Sequence, residues 1–205
     1  MKSIIGNVLM SFVILGWIKA EITFPEHGVT LNYTHIMFRW TQEPDCNLYH
    51  LIVSNSSNET VINIHTDQMI YIDKDNFIWD QNYVAILTPI YANENNAQIS
   101  DTISFSIGPA YPFADLNIEI INTEDTHNGL ALFSQVSPNF RMVAIDKLGN
   151  QVWNSEFAYI NHWNEHGQLF GMKDGRGVEV NFYDDILWMT PSGTEIDAHE
   201  IKQIP

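Results

Sequence analysis

Two histidines, His162 and His166, stand four residues apart and are the first candidates for a metal site. On a helix this spacing would place both imidazoles on one face, where they could bind zinc. The surrounding residues do not favour a helix, and Glu165 lies in the wrong place for the zinc-protease motif. The sequence therefore favours a solvated loop or strand here, and no metal site is predicted.

Acidic residues supply two further candidates, and neither has the arrangement that its chemistry needs. Asp73 and Asp75 open like a calcium-binding loop, but the glycine and the acidic twelfth ligand do not follow in register. Asp184 and Asp185 could form a carboxylate pair, but neighbouring residues on a strand point to opposite faces. We therefore predict a turn at Asp73 and edge charges at Asp184 and Asp185.

The single cysteine, Cys46, excludes an internal disulfide and a cysteine-based zinc site. It is predicted to lie in a polar loop between two strands, as a free thiol or as the partner of an intermolecular bond. The sequence contains no Gly-x-Ser-x-Gly motif, phosphate loop or dinucleotide fingerprint. From these residues we predict no catalytic residue and no cofactor.

The charge balance excludes partners with a phosphate backbone. The 205 residues include 9 Lys and Arg against 25 Asp and Glu, which gives a net charge of -16. Such a chain repels nucleic acid, and it lacks the polybasic stretch that an anionic membrane surface attracts. Because 45% of the residues are hydrophobic, the chain has enough core material for one large domain or two small ones.

Residues 1–20 are predicted to be a secretory signal peptide. Lys2 precedes an apolar run, Val8 to Trp17, and the segment ends at the small residue Ala20. The run is too short for a comfortable membrane span, although an uncleaved anchor is the alternative. Cleavage after Ala20 would release a secreted protein without a membrane attachment.

Three N-x-Ser/Thr sequons, at Asn32, Asn55 and Asn58, agree with a secretory route. In a eukaryotic host these asparagines would be glycosylation sites, so the expected product is an extracellular glycoprotein.

Residues 21–109 have the rhythm of an antiparallel β-sandwich. Short β-rich runs alternate around Trp40, Tyr83 and Phe105, and polar turns separate them. The clearest predicted strands lie at 36–40, 49–53, 69–72, 82–91 and 102–107. About seven short strands in a segment of this length suit a two-sheet sandwich, which we expect to fold independently of the rest.

The strands that carry Trp40 and Tyr83, with the alternating final strand around Phe105, resemble a fibronectin type III domain. The resemblance covers residues 21–109, and an immunoglobulin-like sandwich without disulfides would have much the same pattern. It implies a domain that spaces or presents other domains and carries no chemistry.

From residue 111 the rhythm changes to strand–turn–strand units. Aligning Gly149 with Gly193, 44 residues later, brings Val143 against Leu187 and Val152 against Ile196. A unit that returns after roughly 40–50 residues is typical of β-propeller blades. The predicted fold is therefore all-β, with a fibronectin type III-like sandwich followed over 111–205 by the first one or two blades of a β-propeller.

The second half also resembles the opening of the arylsulfotransferase family. Residues 144–153 contain an Ile-Asp-x-x-Gly-x-x-Val-Trp unit, which many quinoprotein-like propellers share. Residues 196–205 stand where the family has an Ile-Asp-x-His-Asp-like segment, and the histidine there is His199. The added His199 makes the arylsulfotransferases the better match over 111–205.

This resemblance implies a six-bladed propeller that moves a sulfuryl group from a phenolic sulfate ester to a phenol through a channel histidine. His199 matches the first channel histidine, which binds sulfate, whereas the nucleophile lies in later blades that this sequence does not contain. Glu200 stands where many members have Asp, and Ala198 stands where many have a second histidine. An ordinary strand-end histidine is the alternative role for His199.

Two functions follow. The first is the N-terminal portion of a secreted arylsulfotransferase-like protein, inactive at this length, whose completed form would take an aryl sulfate or a phenol. The second is a non-catalytic extracellular binding or adhesion module with a protein partner. Propellers close with four or more blades, and two blades leave an open edge. We therefore expect a longer protein or a pairing with another chain.

Overall fold

The computed structural model describes residues 20–92, 99–111, 129–135, 141–155, 159–197 and 201. These residues form strands and no helix, which confirms the all-β prediction. Within the same ranges no helix is long and apolar enough to cross a membrane. The predicted signal peptide lies outside the described residues except for Ala20, which is buried.

The described residues contain fifteen strands. In the first half they are β1 Ile22–Phe24, β2 Thr30–Leu31, β3 Ile36–Trp40, β4 Cys46–Asn55, β5 Thr60–Thr66, β6 Ile70–Asp73, β7 Gln81–Tyr91 and β8 Asp101–Ile107. In the second half they are β9 Ala131–Gln135, β10 Arg141–Ile145, β11 Gln151–Ser155, β12 Tyr159–Trp163, β13 Leu169–Lys173, β14 Arg176–Val180 and β15 Ile186–Met189.

The first eight strands form two sheets around one core. The sheets have the orders β1-β3-β6 and β2-β8-β7-β4-β5, and all neighbours are antiparallel except β2 and β8. Alternate residues of each strand point inward, so Phe38 of the first sheet meets Phe105 of the second with ring centroids 5.8 Å apart. Trp40, Tyr83 and Phe105 are all buried, as predicted, and the five predicted strands are confirmed.

The second half folds as two further antiparallel sheets with the orders β11-β10-β9 and β12-β13-β14-β15. The four-stranded sheet is an up-and-down meander, the arrangement of a propeller blade. Both sheets contribute to a single core that includes Met142, Trp153, Leu169 and Val178. The predicted strand at 117–121 lies outside the described residues.

Both turns of the predicted repeat are confirmed. The strand predicted after the second turn is wrong. Gly149 and Gly193 both have left-handed backbones, with φ of 82° and 81°. Residues 194–197, however, form no strand after the second turn. Leu187 is also exposed where its counterpart Val143 is buried. Both differences follow from the place of β15 in its sheet. It is the last strand, and the described residues place nothing against its outer edge.

Candidate functional site

The two halves are joined where the segment after β2 lies against β11. Tyr33 and Trp153 form an antiparallel β-bridge. The Thr34 amide donates to the Val152 carbonyl at 2.9 Å, and the Asn154 amide donates to the Asn32 carbonyl at 3.0 Å. The sandwich thus supplies a short fourth segment to the edge of the sheet β9–β11.

An aromatic cleft of about 260 Å³ lies between the halves beside this bridge. The Tyr183 ring is 5.9 Å from the rings of both Phe24 and Tyr33, and the Phe182 ring packs edge-on against Trp153 at 5.4 Å. The lining residues are Phe24, Tyr33, His35, Met37, Leu130, Val152, Trp153, Phe182 and Tyr183. Phe24, Tyr33 and Tyr183 also line a neighbouring cavity of about 520 Å³.

The Tyr33 hydroxyl is buried beside the Tyr183 phenol and makes no hydrogen bond within 3.5 Å among the described residues. Burial and the adjacent Tyr183 phenol raise the pKa of Tyr33, so the group stays protonated. A buried donor without an acceptor is costly, and a ligand that carries an acceptor oxygen would remove that cost.

His35 supplies the second polar group of the cleft. Burial lowers the pKa of His35, and the positive charge of Lys74 lowers it further against the weaker opposing effect of nearby carboxylates. The imidazole is therefore neutral at neutral pH and attracts no anion by its charge.

Asp184 stands on the wall of the neighbouring cavity. The Ser155 hydroxyl donates to Asp184 Oδ1 at 2.5 Å, and the Asn32 amide donates to Oδ2 at 3.5 Å. Burial raises the pKa of Asp184, although the hydrogen bond from Ser155 and the charge of Lys173 oppose the rise. The partly desolvated carboxyl of Asp184 therefore links the two halves, since it accepts from Ser155 in the second half and from Asn32 in the first.

The premise that Asp184 and Asp185 lie on a strand is wrong. Both lie in the turn between β14 and β15, where Asp184 has a φ of 66°. Asp185 accepts a hydrogen bond from the Asn181 side chain at 3.0 Å, so the two carboxyls serve different partners and form no pair.

The lining of the cleft suits binding better than covalent chemistry. Its walls are aromatic and aliphatic, its polar groups include a protonated phenol and a neutral imidazole, and the described residues that line it include no serine, cysteine or lysine. A planar apolar group with one acceptor atom fits such a site.

His199, the predicted sulfate-binding residue, lies outside the described residues, and its role stays a prediction. Arg176, a basic residue that could hold an anion, is already engaged. Its Nε donates to the Thr190 carbonyl at 2.7 Å and its Nη2 donates to the same oxygen. This guanidinium fastens β14 to the segment after β15.

The other sequence candidates have structural roles. His162 ends up on β12 and His166 in the following turn, as the predicted loop or strand requires. Asp73 accepts hydrogen bonds from the backbone amides of Asp75 and Asn76 at 3.1 and 2.8 Å, which confirms the predicted turn. Across the part of the chain that the structure describes, no group of three or more His, Cys, Asp or Glu is placed to hold a metal ion.

The predicted position of Cys46 in a polar loop is wrong. Cys46 begins β4, is buried, and its thiol donates to the Leu48 carbonyl at 3.1 Å. The loop ends one residue earlier, at Asp45, whose φ of 61° turns the chain into the strand. In this fold the free thiol faces the core and is closed to an intermolecular bond.

The three sequons differ sharply in their surroundings. Asn58 is exposed at the tip of the β4–β5 hairpin. The Asn55 side chain is held inside that turn, where it accepts from the amides of Ser57 and Glu59. The Asn32 amide donates to the Asn154 carbonyl at 2.8 Å and belongs to the junction between the halves.

Sequence reasoning did not find the aromatic cleft. Its residues come from turns and strand ends in both halves, where single aromatic residues carry no periodic signal. Comparison of the chain with models of protein families and with curated proteins gives no match.

Proposed function

We propose that this chain is the N-terminal portion of a secreted arylsulfotransferase-like protein and that its own contribution is binding. The proposal rests chiefly on the second half, where two consecutive antiparallel sheets share one core. Sheets of this kind, packed face to face around an axis, are how a propeller is built. The sandwich of residues 21–109 then serves as a fibronectin type III-like domain fixed to the first sheet.

The aromatic cleft favours the alternative function, a non-catalytic extracellular binding module. It is a preformed concave site with aromatic walls and one unsatisfied donor, Tyr33. A phenol or an aryl sulfate, the ligands of the first function, has the planar ring and the acceptor oxygen that would fit this cleft, and the alternative function is thereby extended from a protein partner to a small aromatic ligand. The two functions differ in whether a sulfuryl group is transferred from one molecule to another.

The test is transfer from 4-nitrophenyl sulfate to a phenol, followed by release of nitrophenolate. We expect no turnover from the 205-residue chain, because sulfuryl transfer needs a nucleophile and several donors around one sulfate. A longer version, read from the gene beyond Pro205, should turn over, and His199→Ala in that version should slow it.

Two results would change this assignment. Turnover by the 205-residue chain that His199→Ala abolishes would mean that the chain is a complete enzyme. No turnover by either version, together with binding of phenols that Tyr33→Phe weakens, would favour the binding module.

A further inference from the structure

We propose that His50 and His65 form a binding site for a divalent transition-metal ion, Zn²⁺ or Cu²⁺, on the outer face of the five-stranded sheet. The two residues are direct partners in the antiparallel pair β4–β5. Tyr49 and Leu51, on either side of His50, are buried in the core. The alternation of side chains along a strand therefore directs His50 to the opposite, solvent-facing side. This site is independent of the proposed function.

The two imidazoles already lie together. Their ring centroids are 4.1 Å apart and their planes differ by 8°. A zinc ion binds imidazole nitrogen in the plane of the ring at about 2.0–2.1 Å, so the His65 ring has to turn out of the stacked arrangement for one nitrogen of each residue to reach a single ion. Side chains on paired strands are close because the sheet fixes their backbones, and little further ordering is needed.

Asn63 orients the first ligand. His50 Nε2 lies 2.8 Å from Asn63 Oδ1, and with the amide oxygen as acceptor the Nε2–H group is the donor. The neutral ring then carries its lone pair on Nδ1. Metal-binding histidines commonly donate their other N–H to a carbonyl or carboxylate in this way. Asn63 is therefore a positioning residue, His50 Nδ1 is a ligand atom, and water completes the coordination.

The ligand types decide the class of ion. Imidazole suits zinc, copper and nickel, and copper(II) binds most tightly in the series of divalent ions. Magnesium and calcium prefer oxygen ligands and should not compete. The net charge of -16 also attracts cations to the surface in general, so the test must separate a defined site from diffuse attraction.

The experiment is calorimetric titration of the full chain with zinc chloride and, separately, with copper(II) chloride. We expect one site, weakened about 100-fold by His65→Ala because the second ligand no longer adds to the first. Asn63→Ala should weaken binding about 10-fold through the loss of orientation. His166→Ala removes another exposed histidine, in the turn after β12, and should change nothing.

The melting temperature gives an independent readout. Zinc should raise the melting temperature of the wild-type chain, since a ligand that binds only the folded state stabilises it, and should leave a His50→Ala, His65→Ala double variant unchanged. Near-ultraviolet circular dichroism checks that each variant is folded. Equal metal binding by the wild type and the double variant, or loss of binding in His166→Ala, would overturn the proposal.

Discussion

Asp184 is an ionisable residue at the contact between the halves. Because burial raises its pKa, the folded chain binds a proton at this carboxyl more readily than the unfolded chain does. Its contribution to the free energy of unfolding is therefore largest in acid, below the ordinary carboxyl range. The contribution falls as the pH rises through the raised pKa.

Asp184→Asn should consequently flatten the pH dependence of stability and raise the free energy of unfolding at neutral pH. Asparagine keeps an oxygen that can accept from Ser155, and it tolerates the left-handed backbone at this position. Urea unfolding at a series of pH values measures the change. Asp80→Asn, at an exposed residue that also has a left-handed backbone, with a φ of 57°, is the control and should keep the pH dependence that Asp184 contributes. A wild-type slope in Asp184→Asn would refute the assignment.

Glycan attachment at Asn58 is the second prediction at this scale. A glycan there extends into solvent from the hairpin tip, whereas one at Asn32 would enter the junction between the halves. In a eukaryotic secretory host we expect Asn58→Gln to abolish one glycan, detected as a mobility shift that a glycosidase removes. Asn32→Gln is the matched control and should leave the mobility unchanged; a shift there would contradict the prediction.

Individual residues were predictable where one strand sufficed to place them. Trp40, Tyr83 and Phe105 point inward because alternation within each strand fixes their side. The pair His50 and His65 could not be predicted, because the residues are far apart in sequence and only the register of β4 and β5 brings them together.

At the level of elements, one type of hairpin recurs. In each of four described turns an Asx side chain accepts from backbone amides two and four residues later, and the fourth residue has a left-handed backbone. A type I turn followed by a left-handed residue is a common hairpin loop. The turns are Asn55–Glu59, Asp146–Asn150, Asn164–Gln168 and Asn181–Asp185. Of these four turns, the sequence predicted only the one at Gly149.

Gly171 is the most demanding position in these sheets. It pairs with Ile160 beside a bulge in β12, and a Cβ at this position would run into the Tyr159 carbonyl oxygen and lie 2.7 Å from Ile160 Cα. Gly171→Ala should lower the free energy of unfolding by roughly 1–3 kcal/mol, the cost of forcing atoms into a packed site. Chemical denaturation measures it.

Gly175→Asn is the matched control for this substitution. Gly175 lies in the turn between β13 and β14 of the same sheet, nothing lies within 4 Å of its added Cβ, and asparagine accepts its φ of 72°. Its effect should stay within about 0.5 kcal/mol. Equal losses in Gly171→Ala and Gly175→Asn would mean that steric contact at β12 is not the cause.

Some elements escaped prediction for physical reasons. β5 is the edge strand of its sheet, and its alternation is short, with only Ile62 and Ile64 inward against exposed Asn63 and His65. The strand predicted at 194–197 has the right composition but no neighbour to pair with among the described residues. Composition reports what a segment can form, whereas pairing partners decide what it does form.

For the whole molecule, the sequence predicts two separate units, and the structure joins them. Among the described residues, the buried core of the sandwich comes from residues between Ala20 and Ile107, and its independent folding stays a prediction. The junction nevertheless adds a β-bridge and the hydrogen bond from the Trp79 indole to the Gln151 carbonyl at 3.0 Å. Sequence could not predict it, because the joining segment, Asn32 to Thr34, has the pattern of a surface sequon.

Strand β15 presents exposed apolar side chains at the outer edge of its sheet. Ile186, Leu187 and Trp188 are 45%, 50% and 51% exposed on a strand that ends its sheet. An exposed apolar edge strand favours pairing with another chain. If a further sheet covers this strand in the proposed longer protein, the 205-residue chain should self-associate as its concentration rises, despite its negative charge.

Sedimentation velocity over a range of protein concentrations would measure this association. Replacing Leu187 and Trp188 together with lysine should weaken it at least about tenfold, because burying each side chain contributes about 1.5–3 kcal/mol. Leu148→Lys is the matched control, since Leu148 is 57% exposed but lies in a turn away from any sheet edge, and it should leave the association unchanged. A wild-type chain that stays monomeric at every concentration would show that β15 needs no cover, and would remove one reason for expecting a further sheet.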